Sequence, residues 1–356
     1  MSGEINGWLD EDGPAALIIR EHLMPVEGPD GVLFPATFAA SEDKTFKGGY
    51  NIDTFADGTN VCLVDSVGSQ ANRIEPMFLK GEYAALVPQV VIDAGRKINL
   101  LEAGHRAGDA IVRCSALQHE LQEAFKAAAA PTTVNHEPLA RIAPTSLVFG
   151  AWDSRDTQTK LPRLIASTIR AYNVKELMRS AQYIPATDYV AAGLLEEPLD
   201  KKTQDEYAKR GFVHVPASGS PGGIIATGGI RRDATLHLAA LRTIFAADEA
   251  KTRVLRSYIL GLAITAFTYS GTGYLRQGCN LVVDPSKGRE LKAVYSDGRR
   301  VDVSVSHTEA LAYAKAAAAK FGVGPSRQVP FDRERAKADL SGEGTKKVKN
   351  KAAKAK

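Results

Sequence analysis

Between Asn60 and Lys80 (NVCLVDSVGSQANRIEPMFLK) the chain gathers the hydroxyls of Ser66 and Ser69, the amides of Gln70 and Asn72, the Arg73 guanidinium and the Glu75 carboxylate. These groups can hold a polar ligand, but they complete no nucleophile–base pair and no metal-ligand spacing. The spacing predicts a short helix opening after Val61–Val64, with Ser66 or Ser69 as its cap. Gln70 and Arg73, three apart, share a face of that helix, while Asn72 points toward a neighbouring one. Glu75–Pro76 ends the regular helix unless Pro76 begins a second segment. The plain alternative is a capped helix on a domain surface.

Other residues invite chemistry and fall short of it. His105 has no partner fixed by spacing beyond Asp109, which pairs with it locally if the segment is helical. Asp153 and Asp156 flank Arg155 and read as its salt-bridge partners. GGIIATGG (222–229) lacks the glycine spacing of a dinucleotide fingerprint and the terminal Gly-Lys-Ser/Thr of a P-loop. Cys62, Cys114 and Cys279 are widely spaced and odd in number, forming neither a disulfide framework nor a metal motif, which fits a reducing cytoplasm. No catalytic residue, metal site or cofactor is expected.

The elements that must position these residues belong to an ordinary globular chain of 356 residues, 24% charged and 44% apolar. Its formal charge of +4 becomes −2 once the six lysines of residues 346–356 are set aside, so local patches must carry any case for nucleic acid. One such patch is Arg141–Arg179, with seven Lys or Arg against three acids. The amino terminus has no secretory pattern, and Tyr258–Phe267 is too short to span a bilayer. Strands are expected at Ala15–Ile19, with Arg20–Pro29 as the exit, at Ile142–Phe149, and in a hairpin around Ser296–Arg299. Helices are expected at 115–130, from Leu161 onward with Arg163 and Arg170 on one face, at Ala234–Phe245, at about Asp248–Phe267 and through HTEALAYAKAAAAKFG. The glycine-rich Tyr269–Gly278 lets the main chain approach a ligand closely. Residues 183–225 read as an insertion, and the chain from about 327, including 331–356, as a disordered tail.

Four segments, Ser66–Arg73, Pro144–Arg155, Gly228–Asp233 and the loop Ser270–Gly278, resemble in order the RAMP-type backbone subunit of type I-G (formerly I-U) CRISPR interference complexes. The similarity runs over roughly residues 10–330. It implies an α/β (α+β) RRM-like, ferredoxin-type core with large insertions, one of them a thumb-like projection at 183–225, or at the loops 40–50 or 95–110. It also implies a non-enzymatic subunit that lies in several copies along a CRISPR guide RNA beside other Cascade subunits and presents the guide to target DNA. The RNA contacts expected on this basis are Lys44, Lys47, Ser69, Gln70, Asn72, Arg73, Arg155, Arg163, Arg170, Arg231, Arg232, Tyr274 and Arg276, with Tyr50 stacking on a base. Trp152 suits stacking or a neighbouring subunit. Two rival functions are a type III-like ribonuclease using Asp153 or Asp156, and a small-molecule enzyme built on the first cluster.

Overall fold

Side-chain alternation along the chain builds one large antiparallel sheet. The computed structural model describes residues 2–43, 45–271 and 273–340; Lys44 and the lysine-rich residues 346–356 lie outside the described residues. The elements used below are β1 (Ala16–Pro25), β2 (Ile52–Thr54), β3 (Asn60–Asp65), α1 (Val67–Ile74), β4 (Ile165–Tyr172), β5 (Val174–Tyr183), β6 (Val215–Ala226), β7 (Ile230–His237), α2 (Glu249–Thr268), β8 (Tyr274–Arg276), β9 (Cys279–Val283), β10 (Glu290–Val294), β11 (Arg300–Asp302) and α3 (His307–Phe321).

The nine-stranded sheet runs β8-β9-β1-β7-β4-β3-β2, with β10 on the first half of β1 and β11 beyond it. Its centre, β9-β1-β7-β4, is antiparallel throughout. Helical connections separate β1 from β4 and β7 from β9, while β4 and β7 are joined by a strand excursion. This is the β-α-β-β-α-β order of a ferredoxin-type α+β fold. In β7, Ile230, Arg232, Ala234 and Leu236 are buried and Arg231, Asp233 and Thr235 are half-exposed, so the sheet has a packed inner face and an open, polar outer face.

Two apolar clusters cover the inner face. Leu17, Ile19, Ile165, Ala234 and Leu236 pack with α2 and α3, while Ile169, Ala171 and Ile230 pack with Leu33, Tyr50, Ile224, Leu275 and Cys279. Between them the same faces of β1 and β7 present Glu21 and Arg232, direct register partners. Asp248 caps α2, and a Ser306/Glu309 capping box opens α3. The two helices approach closely at Gly261, where a Cβ would stand 2.8 Å from the Ala314 Cα.

The segment 183–225 belongs to a long arm. β5 and β6 pair antiparallel as a two-stranded ribbon that ends in the helix Lys201–Lys209, none of whose residues is buried. The ribbon base is fixed by Leu33 bridging Ile224 and by Asn60, whose side chain both accepts from Val174 N–H (2.7 Å) and donates to Val174 C=O (3.0 Å).

Several expectations are corrected. Ile142–Phe149 forms no strand but the last residue of one short helix, Glu137–Ile142, and the whole of another, Thr145–Phe149. All five residues of the second are buried, so its apolar run carries no period to read. The segment after Leu161 is strand β4, and there Arg163 and Arg170 share no helix face. β1 continues through Arg20 to Pro25, and Ala234–His237 belongs to β7, which is followed by a short helix, Leu238–Leu241. Residues 327–340, expected within a disordered tail, are ordered, and 341–356 lie outside the described residues. Arg327–Pro330 pairs in parallel with Val90–Asp93, and the helix Arg333–Leu340 is tied down by an Arg113–Asp339 ion pair.

Because the Gly261 contact is with backbone, Gly261→Ala must push the two helices apart. It should destabilise the protein by about 1–3 kcal/mol in urea unfolding, as overpacked cores do; an unchanged midpoint would show that the helices yield freely.

Candidate functional site

Asp65 ends β3, is 2% exposed, and collects four partners. Its Oδ1 accepts from Ser69 Oγ (2.8 Å) and Arg276 Nη2 (3.1 Å), and its Oδ2 from Gln70 Nε2 (2.7 Å) and Arg73 Nε (3.2 Å). Ser66 caps α1 by accepting from Ser69 N–H, which sets the first turn so that Ser69, Gln70 and Arg73 return to the strand that precedes them. Gln70 continues the network by accepting from Ser167 Oγ on β4 (3.0 Å), and Arg276 also donates to Val64 C=O. The shared face of Gln70 and Arg73 is as expected. Asp65 itself, the group they share, had not been singled out; an acid closing an apolar strand just before a capping serine is the signal for it.

A second buried pair stands behind the first. Glu75 and Arg106 meet at 2.6 Å with their side chains 1% and 4% exposed. Arg106 also donates to Gly150 C=O and to Asn72 Oδ1, each at 3.2 Å, and lies over the Phe149 ring. Arg106 holds this position at φ 55°, a left-handed conformation that costs a non-glycine residue on the order of 1–3 kcal/mol. Burial pushes the Glu75 carboxyl up to about 7, with Arg106 opposing, and burial likewise lowers Arg106. Asn72 thus points away from Asp65 toward the second motif, and Gly150 and Phe149 of that motif join the first through Arg106.

The third wall is the glycine-rich loop. Gly273 lies so close to β9 that a Cβ would collide with the Leu281 carbonyl oxygen, and its own carbonyl accepts from Leu281 N–H at 2.9 Å. With α1 and the polar inner face of β1 and β7, this loop encloses a cleft of about 520 Å³. Gln70, Asn72, Arg73, Lys80, Arg232 and Tyr274 all line it. Tyr274 is 57% exposed, and the Arg73 side chain keeps 37% exposure although its Nε is committed to Asp65.

Other candidates fall elsewhere. Arg231 and Arg232 point to opposite faces, as consecutive strand residues must. Arg232 is buried against Glu21 (2.9 Å), whereas Arg231 binds Asp233 and Tyr172 on the outer face. Arg170 is the register partner of Arg231 there. Arg20 lies on the same face beside Asp233, so two guanidiniums, those of Arg20 and Arg231, meet that carboxylate. Arg163 is exposed beside Gly68 at the start of α1 and makes no ion pair among the described residues. Arg155 and Lys47 are exposed on separate loops, and Lys44 lies outside the described residues. Tyr50 is buried, its hydroxyl accepting from Gly223 N–H (2.9 Å), and so is turned away from solvent. Trp152 is 58% exposed, with Lys160 over its ring.

The residues that invited catalytic readings are engaged locally. Asp153 is 3% exposed and accepts from the N–H of Asp156 and from the N–H and hydroxyl of Thr157, so it shapes its own loop and does not pair with Arg155. Asp156 faces Gln118 and Arg113. His105 contacts Asp109, as the spacing suggested. Burial pushes the Cys62 thiol up to about 12 and Cys279 to about 11, which keeps both protonated. Among the described residues, no helix is long and apolar enough to cross a membrane, and no group of three or more His, Cys, Asp or Glu could hold a metal ion.

Residues 17–176, from β1 to the start of the ribbon, match the family model for CRISPR-associated protein GSU0053. That span contains the first two motifs, both buried ion-pair centres except Arg276, and strands β1 to β4. No curated protein matches the chain.

Two outcomes test this arrangement. Asp65→Ala removes one carboxylate from two guanidiniums and should cost about 3–5 kcal/mol in chemical denaturation, as breaking a buried ion pair does; a loss below about 1 kcal/mol would mean that Arg73 and Arg276 re-pair freely. Glu75 has a folded value near 7 against 4.5 for the free side chain, so the folded chain retains a proton that the unfolded chain has released. Its contribution is therefore full below pH 4.5 and declines as pH rises toward 7. Urea midpoints followed across this window should fall more steeply in the parent than in Glu75→Gln; parallel profiles would contradict the assignment.

Proposed function

We propose, from the match of residues 17–176 to a CRISPR-associated family, that the chain is an RNA-binding backbone subunit of the RAMP-like kind. Several copies lie side by side along one guide RNA in a type I-G interference complex. The observation that carries this reading is the convergence of three of the four segments, Ser66–Arg73, Gly228–Asp233 and Ser270–Gly278, on one cleft with Arg73 and Tyr274 at its mouth. A guanidinium held by its Nε and open at its other nitrogens suits a phosphate oxygen, and an exposed tyrosine suits a base. Phosphate contacts of this kind position a strand without reading it, leaving sequence to base pairing with target DNA.

The ribbon of β5 and β6 serves as the thumb. Met178, Ile184, Leu194 and Leu199 are all more than 60% exposed along it and at its end, an apolar surface for the adjacent copy. A head-to-tail contact that does not close gives a filament whose length the RNA sets. The role is structural and not chemical, since Asp153 and Asp156 are both engaged within their own surroundings. Three buried free cysteines accord with work in the cytoplasm.

Co-expression with a repeat–spacer RNA and the partner subunits, followed by native mass spectrometry, should give several copies of this chain per RNA. A monomer without RNA under those conditions overturns the proposal. On such assemblies Arg73→Gln should reduce the slope of log affinity against log salt by about 0.7, the share of one single-strand phosphate. The same loss in Arg170→Gln alone would instead place the strand on the outer sheet face.

A further inference from the structure

The two ends of the large sheet present different surfaces. Strand β4 runs from Ile165 to Tyr172, and the arm leaves at Val174, just past its second end. Off the first end lies a pit of about 540 Å³, walled by Val134, Leu161 and Phe245. Eight residues of strand, roughly 25 Å, separate the arm base from the pit, and no residue of the arm lines it.

His136 lines the pit and is 8% exposed. Its Nδ1 accepts from Phe245 N–H at 3.2 Å. Its Nε2 has no partner among the described residues and is not sealed from solvent, so it opens on the pit. Because Nδ1 is the acceptor, the proton of the neutral ring sits on Nε2, and burial opposes uptake of a second one. The pit therefore offers a fixed, uncharged N–H donor. Beside it Lys160 is exposed and makes no ion pair among the described residues. Trp152, the register partner of Lys160, adds an exposed aromatic ring next to the rim. A donor, a cation and apolar walls together fit a carboxylate carried beside an apolar side chain.

The tip of the arm carries that combination in Leu194-Leu-Glu-Glu-Pro-Leu199. Leu199 is 96% exposed, the most of any large apolar side chain described. Glu196 and Glu197 are exposed and make no ion pair among the described residues. The tip has its shape before any contact. Tyr207 donates to Glu196 C=O at 3.0 Å, and Tyr189 and Tyr207 both pack edge-on against Phe212. A preformed segment loses little freedom on docking.

We propose that the arm tip of one copy docks in this pit on the next, with Leu199 between the apolar walls and a carboxylate of Glu196 or Glu197 on His136 Nε2–H and Lys160. Tip and pit lie at opposite ends of one sheet, so each contact leaves a free pit at one end and a free tip at the other. The row of copies then grows without closing. Two pits do not pair, because lysine would face lysine. This inference rests on the proposed arm contact for its partner, a second copy, and adds the site that receives the arm and the groups that recognise it.

The three native cysteines are buried, so an introduced pair reports the contact alone. Thr243 lines the pit and Ala192 stands beside the tip; both are exposed and neither is a recognising group. Full-length protein carrying Thr243→Cys and Ala192→Cys, assembled on a repeat–spacer RNA with the partner subunits, is treated with a short bismaleimide and denatured. A ladder of covalent dimers, trimers and longer species is expected, whereas a mixture of the two single variants should stop at dimers. In the ladder-forming background, Lys160→Gln should slow cross-linking by at least about fivefold, and so should Glu196→Gln with Glu197→Gln. All three together should cost no more than about twofold beyond the larger effect, because the lost interaction is shared. His136→Asn, whose amide oxygen can keep the Phe245 N–H while the Nε2 donor is gone, should slow it likewise. Lys160 is exposed, so its replacement leaves the fold intact. No ladder from copies that still sit on the RNA, dimers from Thr243→Cys alone, or indifference to Lys160→Gln and the glutamine pair overturns the docking and leaves the backbone reading in place. A ladder from protein that never retains RNA upholds the docking and removes the backbone reading.

Discussion

A carboxylate taken out of water must be paired, and Asp65 is paired by residues that the sequence keeps far apart. Burying it alone would cost several kcal/mol and force it to take up a proton. Two guanidiniums, an amide and a hydroxyl meet that demand, and Arg276 arrives from 211 residues away. The glycine-rich loop cannot settle elsewhere without stripping Asp65 of a partner. Glu75 imposes the same condition on Arg106 and, through it, on Gly150 and Asn72. The cleft walls are thus held by charge compensation as well as by apolar packing. Such pairs add little net stability against a well-packed apolar alternative, but an alternative arrangement that strands one charge is costly.

The same logic explains why there is a cleft at all. Along the inner face of β1, Leu17 and Ile19 join one apolar cluster and Leu23 the other, with Glu21 between them. β7 repeats this, with Arg232 between Ala234 and Ile230, and on β4 Ser167 stands between Ile165 and Ile169, bound to Gln70. A polar belt therefore crosses the sheet where the two cores would otherwise merge. Apolar residues at these register positions would draw the clusters together over the gap; charged ones need the solvent and partners that the cleft supplies.

Much of this was legible in the sequence, and the misses have physical causes. The helices α2 and α3 and the β10–β11 hairpin at Ser296–Arg299 were expected from local signals that act within a few residues. The Gln70–Arg73 face follows from helical spacing alone. Asp65 was passed over because its importance depends on burial and on Arg276, neither of which is local. Thr145–Phe149 was misread because complete burial erases the period that separates helix from strand. Arg231 and Arg232 were both expected at RNA, although a strand sends neighbours to opposite faces. Tyr50 looked like a surface aromatic in a glycine-rich loop, and only the return of Gly223 on the ribbon, which donates to its hydroxyl, buries it.

β3 connects the two features on which the functional reading depends. Asn60, its first residue, grips Val174 at the base of the ribbon through two hydrogen bonds, and Asp65, its last, gathers the cleft. Six residues of extended chain span at most about 20 Å, and paired to β4 the strand is stiff over that length. The base of the arm and the partners of Asp65, Arg73 and Arg276, are therefore held by the two ends of one short strand. An assembly in which one copy's arm meets the next copy while its cleft holds RNA needs such a fixed relation. Without it, the spacing between successive copies and the register of the strand would be independent, and each added copy would accumulate error along the RNA.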